Sequence, residues 1–230
     1  MHKKIVTLAV GAALALAATG AFADQAGPND VRLGMYFVHY ESQADDISGP
    51  YVPAGLNVHL DNVETLYAAY VRSLSSHWEV EVAFGYPPLT KTEGRGPAKL
   101  GSVSYNGQVI STARWVAPTL LVEYLFGSPS ARLRPFVGVG VNYTKFVARQ
   151  STAAGNAASG GPTSIALPAS VGPAATAGLG YEITDRWHVY ASYSIAQVNS
   201  KLTADTAGVL RTSEVHFWPN TLVVSAGYSF

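Results

Sequence analysis

The chain has 230 residues, with 15 basic and 15 acidic side chains, no cysteine, and 48% hydrophobic residues of which many are Tyr, Val and Phe. Balanced charge excludes the strongly basic surface of a nucleic-acid binder, and the missing cysteines exclude a disulfide framework. Beyond the N-terminus no apolar run is long enough for a transmembrane helix.

The first 23 residues read as a secretory signal peptide. Lys3 and Lys4 form a positive n-region, Ile5 to Thr19 an apolar h-region, and Ala21-Phe22-Ala23 a small-x-small cleavage site. Cleavage near Ala23 leaves residues 24–230 as one domain, with 13 basic against 15 acidic side chains and a formal charge of −2. An exported, cysteine-free chain of this composition is either a soluble β-domain or a barrel in the outer membrane, where only closed sheets satisfy the backbone in lipid.

Strict alternation then recurs along the chain, as expected of strands whose side chains point to opposite faces in turn. In the first strand, Val31 to Tyr40, residues Val31, Leu33, Met35 and Phe37 face one way and Arg32, Gly34 and Tyr36 the other. A polar loop, Glu41 to Asn62, leads to a second strand, Val63 to Arg72, in which Leu66, Tyr70 and Arg72 are assigned to the inner face. After a short break, Trp78 to Tyr86 sets Trp78, Val80, Val82 and Phe84 against Glu79, Glu81, Ala83 and Gly85. Pro87-Pro88 and a long loop to about Ser111 follow. The fourth strand spans Arg114 to Phe126, and Gly127 to Ser130 is a tight turn. The fifth strand, Leu133 to Phe146, alternates apolar odd positions with Arg134, Gly138, Gly140, Asn142 and Thr144. Ala148 to Ser170 is small, polar and aperiodic and reads as a mobile loop. The sixth strand is Val171 to Ile183 and the seventh starts at Trp187. A polar loop near Ser200 to Ser213 precedes the last strand, Thr221 to Phe230.

The fold class is therefore all-β: an eight-stranded antiparallel transmembrane β-barrel with short periplasmic turns and long extracellular loops. Trp78, Trp187, Tyr124, Phe126 and Tyr181 flank the short turns as an aromatic girdle. Charges share a face with the glycines, and the opposite face is nearly uncharged. That arrangement suits a lumen lined by charge and a wall against lipid better than a lipocalin-like barrel, whose faces are inverted.

Three groups of residues carry the functional expectation. Arg32, Arg72, Glu79, Glu81, Glu123, Arg134 and Glu182 fall inside near the periplasmic end and form a charged plug, since buried charges need partners. Val38, Leu66, Trp115, Phe136 and Phe217 fall inside in the outer half and form an apolar lumen suited to a hydrophobic molecule or simply to packing. Pro87, Pro88, Pro118, Pro135, Pro173 and Pro219 each remove a ladder donor and mark seams in the wall or ordinary bulges. The mature histidines His39, His59, His77, His188 and His216 are scattered, without metal-ligand spacing or a nucleophile partner, so neither enzyme activity, a metal nor another cofactor is expected.

The stretch Trp115-Val-Ala-Pro-Thr-Leu-Leu-Val-Glu-Tyr-Leu-Phe126, the run Arg134-Pro-Phe-Val-Gly-Val-Gly-Val-Asn-Tyr-Thr-Lys-Phe146 and the ending Pro219-Asn-Thr-Leu-Val-Val-Ser-Ala-Gly-Tyr-Ser-Phe230 resemble the outer membrane protein W (OmpW) family, with AlkL-like members. The resemblance spans essentially the whole mature chain. It implies a Gram-negative outer-membrane channel, open outside and blocked toward the periplasm, for passive uptake of small hydrophobic molecules with lateral release into the membrane. The alternative is a structural or interaction protein whose loops act as a surface receptor or adhesion site. Implied partners are outer-membrane lipid and lipopolysaccharide, the barrel assembly machinery through the terminal Phe230, and a small hydrophobic solute. Many relatives carry a second proline where this chain has Ala117 before Pro118-Thr119, and its third external loop is unusually rich in Ala, Gly and Ser.

Overall fold

The computed structural model describes residues 27–40, 42–100 and 103–230. The signal-peptide assignment lies outside the described residues. Eight long strands carry the architecture: β1 (Asn29–His39), β2 (Val63–Ser73), β3 (Trp78–Gly85), β4 (Thr119–Leu125), β5 (Leu133–Ser151), β6 (Ser170–Glu182), β7 (Trp187–Ala196) and β8 (Asn220–Ser229). Each pairs antiparallel with the next, and β8 pairs back onto β1 from Asp30–Ser229 to His39–Asn220. The sheet closes on itself, so no barrel edge is left unpaired.

The alternation in sequence becomes two faces. Leu33 is 61% exposed and Val139 68% exposed on the outer wall, whereas Arg32 (2%) and Glu123 (1%) are buried in the lumen. Such an apolar outer belt is stable only against lipid. At the short-turn end, Trp78 packs edge-on against Tyr124 at 5.0 Å, Tyr124 against Phe126 at 5.0 Å, and Trp187 against Tyr228 at 5.1 Å. Trp78, Tyr124, Phe126 and Trp187 of the expected girdle thus lie at this end, joined by Tyr228.

The second strand is a correction. Thr65, Tyr67, Ala69 and Val71 face inward, while Leu66 is 61% exposed on the outer wall and Arg72 is also exposed. Cross-strand register agrees, since Leu66 lies beside outward Met35 and Tyr67 beside inward Gly34. Both faces of this strand are apolar in sequence. Its charges, Glu64 and Arg72, sit at the two ends, where long side chains reach the interface rather than marking the lumen.

The long loops are more ordered than their composition suggests. β5 continues past the barrel and pairs with Val109–Val116, which pairs with Leu89–Arg95, which pairs with Asn57–Leu60. The fourth strand expected from sequence is thus divided at Ala117-Pro118. On the other side, Val198–Thr206 and Val209–Phe217 form a hairpin joined by Ser164–Ala166 and Ser42–Ala44. Its turn, Ala207-Gly208, has φ 50° and 88°, the left-handed pair a tight hairpin requires, from a sequence without the usual Asn-Gly signal. The stretch read as mobile holds a short helix, α1 (Ala153–Ser159). Thr152 caps it by accepting from the Gly155 N–H at 3.1 Å, and Gly160 ends it at φ 84°.

Candidate functional site

The lumen is divided by a buried cluster centred on Arg32. Glu79 and Glu81 are two residues apart on β3 and so share the inner face, and Glu123 on β4 lies directly opposite Glu79. Arg32 is two strands away on β1. Ala69 of β2 sits in register between Arg32 and Ala83, and its small side chain lets the guanidinium reach across. Arg32 donates through Nη2 to Glu79 at 2.5 Å, through Nη1 to Glu81 at 2.8 Å and through Nε to Asp30 at 3.2 Å, with Glu123 at 3.5 Å. Its guanidinium carbon also stacks 3.8 Å from the centre of the Tyr190 ring. The Tyr67 hydroxyl donates to Glu81 at 2.9 Å and the Tyr190 hydroxyl to Asp30 at 3.0 Å. Four carboxylates surround one guanidinium, and Asp30 Oδ1 and Glu123 Oε2 are buried without a hydrogen-bond donor among the described residues.

Of the seven charges assigned to a plug, the structure brings together Arg32, Glu79, Glu81 and Glu123. Arg72 lies outside and donates to Asn29 at 2.9 Å. Arg134 faces inward but turns to the carbonyl oxygens of Ser76 (2.6 Å), Leu125 and Phe126 near the short turns. Glu182 lines a lower chamber with Arg134 and His188 and forms no ion pair with the cluster. Asp30, Tyr67 and Tyr190 were missed. Extending the β1 alternation two residues back from Arg32 exposes Asp30, and correcting the face of β2 exposes Tyr67.

On the loop side of this floor is a cavity of about 90 Å³. One water needs on the order of 10–15 Å³ on this measure, so there is room for a molecule of several heavy atoms. Val38, Trp115 and Phe217 line it as expected, joined by Tyr36, Tyr67 and Phe146. Tyr36 and Tyr67 meet edge-to-face at 4.9 Å, and the Trp115 indole N–H donates to Thr90 at 3.0 Å, fixing these walls. Two assignments fail. Leu66 is on the outer wall. Phe136 is inward and buried but lines the lower chamber, because it is only three residues from the short-turn start of β5: its face was right and its depth wrong.

The prolines separate into two kinds. Pro135 and Pro173 sit in unbroken ladders opposite Leu179 and Val141, and their carbonyls accept from Phe126 (2.8 Å) and Gln197 (2.9 Å). They make no seam. The β3–β4 ladder instead stops at Ala83–Thr119 and resumes above the barrel at Leu89–Arg114, shifted by one residue. Among the described residues, 84–88 and 115–118 have no ladder partner across this gap, which holds Pro87, Pro88 and Pro118. The pairing of β7 with β8 is interrupted at residues 196–197 and 218–219, beside Pro219, and resumes unshifted at Val198–Phe217.

A closed strand barrel with an apolar outer belt, an aromatic girdle and a polar-floored lumen is an integral β-barrel of the outer-membrane type. The chain belongs to the OmpW family, whose model matches residues 25–230. Outer membrane protein W of Vibrio cholerae is 29% identical over 230 residues, covering all of both chains. The dibenzothiophene metabolism operon protein PahQ of Pseudomonas aeruginosa is 30% identical over 122 residues, 51% of this chain and 52% of that one. The crystal structure of the outer membrane protein OprG from Pseudomonas aeruginosa shares the fold with a TM-score of 0.79 at 20% identity, covering 90% of this chain and 97% of that one. The protein is thus an outer-membrane barrel with a channel-type architecture.

Proposed function

We propose that the barrel is a passive channel for small hydrophobic molecules, which enter the cavity from the loop side and leave sideways through the wall between β3 and β4. The observation that carries this reading is a junction: an aromatic-lined cavity ends on a charged floor, beside a wall with a gap in its ladder. An apolar solute gains nothing by entering the Arg32 cluster, which would have to give up its ion pairs to let it through. The gap spans five residues of the β3 side, about 17 Å of strand, longer than a ring compound, and its banks are tied by side-chain bonds rather than by the ladder. The name of the relative PahQ, tied to dibenzothiophene metabolism, is consistent with an apolar aromatic solute.

The chain has no cysteine, which allows a clean test. The lower register carried past Ala83–Thr119 puts Tyr86 opposite Val116 and the upper register puts it opposite Ala117; Val116 shares the outward parity of Tyr86, whereas Ala117 lines the cavity. A Tyr86→Cys/Val116→Cys pair should form a disulfide that staples the gap without narrowing the cavity. Cells bearing it should take up labelled naphthalene more slowly when oxidised, with recovery on reduction. Equal rates in both redox states, in cells that still outpace a deletion strain, would refute lateral exit. Rates equal to the deletion strain for the unmodified protein would refute the channel itself.

A further inference from the structure

We infer that the cavity selects neutral aromatic solutes carrying one hydrogen-bonding group, of the phenol class, over alkanes and over aromatic anions. This deepens the channel reading above and rests on it. Three features of the cavity wall carry it.

The first is the aromatic arc. Tyr36, Tyr67, Trp115, Phe146 and Phe217 present ring faces and edges to the space, and rings stack on rings in preferred geometries that a flexible alkane cannot exploit. The second is a set of polar side chains among these rings, on β4, β5, β7 and β8. Asn142 and Thr119 line the cavity but are occupied with each other at 2.8 Å, and Thr144 donates to Asn142 at 2.6 Å. Ser194 donates to Thr176 at 2.9 Å. Ser192 and Thr221 also line the cavity, and their hydroxyls, like that of Tyr36, have no hydrogen-bond partner among the described residues. Thr221 is the ladder partner of Ser194, two residues along β7 from Ser192, so both hydroxyls are within reach of one bound ring. A solute that fills the cavity with hydrocarbon alone strips these hydroxyls of water and returns nothing, which is the basis on which polar sites reject apolar analogues. A phenolic O–H answers one of them.

The third feature is the floor. Glu81 lines the cavity, and behind it the cluster has four carboxylates for a single guanidinium. A carboxylate-bearing aromatic would have to give up its hydration beside these carboxyl groups, with no spare cation among the described residues in contact with them to pair with it. The same arrangement leaves a neutral phenol unaffected.

The test uses the full barrel in lipid nanodiscs and fluorine NMR with 4-fluorophenol, fluorobenzene, 4-fluorobenzoate and 1-fluorooctane, each referenced to empty nanodiscs. One hydrogen bond in this setting is worth a gain of about two- to tenfold in affinity. 4-Fluorophenol should therefore bind tighter than fluorobenzene by that factor, and 4-fluorobenzoate should bind least. A Tyr36→Phe/Ser192→Ala/Thr221→Val variant, which removes the free hydroxyls and keeps the aromatic wall, should bring the phenol-to-benzene ratio close to one, with 4-fluorophenol binding more weakly and fluorobenzene more tightly than to the parent. Fluorobenzene and fluorooctane binding as well as fluorophenol would overturn the selectivity while leaving the channel reading intact. Absence of protein-dependent binding for all four probes would overturn both.

Discussion

Replacing Arg32 by Met tests whether the floor is held by a single cation. Arg32 is 2% exposed and, among the described residues, is the only cation within ion-pair distance of Asp30, Glu79, Glu81 and Glu123. Methionine keeps the length and the apolar stem but removes every donor. Breaking a buried ion pair by deleting one partner costs about 3–5 kcal/mol, because the remaining charge is left uncompensated, and here several carboxylates lose their partner together. The opposite substitution, Glu123→Gln, has another expected outcome. Glu123 makes the longest contact to Arg32, at 3.5 Å, and its removal lowers the excess of negative charge, so the change should stay within about 1 kcal/mol. Both variants can be measured by reversible urea unfolding from lipid vesicles, read by tryptophan fluorescence and by the electrophoretic shift of the folded barrel. A loss below about 1 kcal/mol for Arg32→Met, or an equal loss for Glu123→Gln, would show that the floor does not depend on the guanidinium.

Leu66→Arg should destabilise the barrel, by up to about 2–4 kcal/mol if the position lies near the midplane, since Leu66 faces lipid; tolerance in the same unfolding assay would return Leu66 to the lumen. Gly140→Ala should impair assembly, because an added Cβ would meet the Leu120 carbonyl oxygen at 1.8 Å, and a normal yield of heat-shifted barrel would contradict that close approach. Trp115→Phe keeps the aromatic wall but loses the bond to Thr90, so solute uptake should fall modestly with folding unchanged. Uptake indistinguishable from the parent would mean that the indole N–H does not position the wall.

The barrel was legible because seven strands pair a charged or glycine-bearing face with an apolar one, and that contrast is a local property of the chain. β2 lacks the contrast: Leu66 and Tyr70 on one face match Tyr67 and Val71 on the other, so only its neighbours' register decides. The floor was legible in part for a related reason. Facing gives Arg32, Glu79, Glu81 and Glu123, but whether a charge finds carboxylates or turn carbonyls depends on depth, and Arg134 sits at a depth where carbonyls are nearer. Proline positions were visible, whereas their effect was not. A missing N–H matters only where the ladder asks for it, and at Pro135 and Pro173 the register passes through unbroken. The loop-end strands escaped because much of their buried face is polar: Thr90 and Thr92 of Leu89–Arg95, and Ser200, Thr206 and Ser213 of the hairpin, are buried without an apolar alternation to mark them. They are held by the continuation of β5 and of the hairpin above β7 and β8.

The relative cost of the two ways out of the cavity follows from these contacts. Passage through the floor requires separating Arg32 from partners at 2.5–3.2 Å while both sides stay buried, a cost of several kcal/mol for each broken pair. Passage through the wall between residues 84–88 and 115–118 breaks no ladder hydrogen bond among the described residues. Its direct ties are side-chain bonds, from Arg114 to the Pro87 carbonyl at 2.7 Å and from Trp115 to Thr90 at 3.0 Å, each worth about 1 kcal/mol net, or more where the donor is charged. The gap beside Pro219 is less permissive, since the same register holds on both sides of it and only two residues of each strand are unpaired. The one-residue shift across the β3–β4 gap means that its two banks are not held in common register. They can part there without forcing a slip elsewhere, which is the physical basis of the proposed sideways exit.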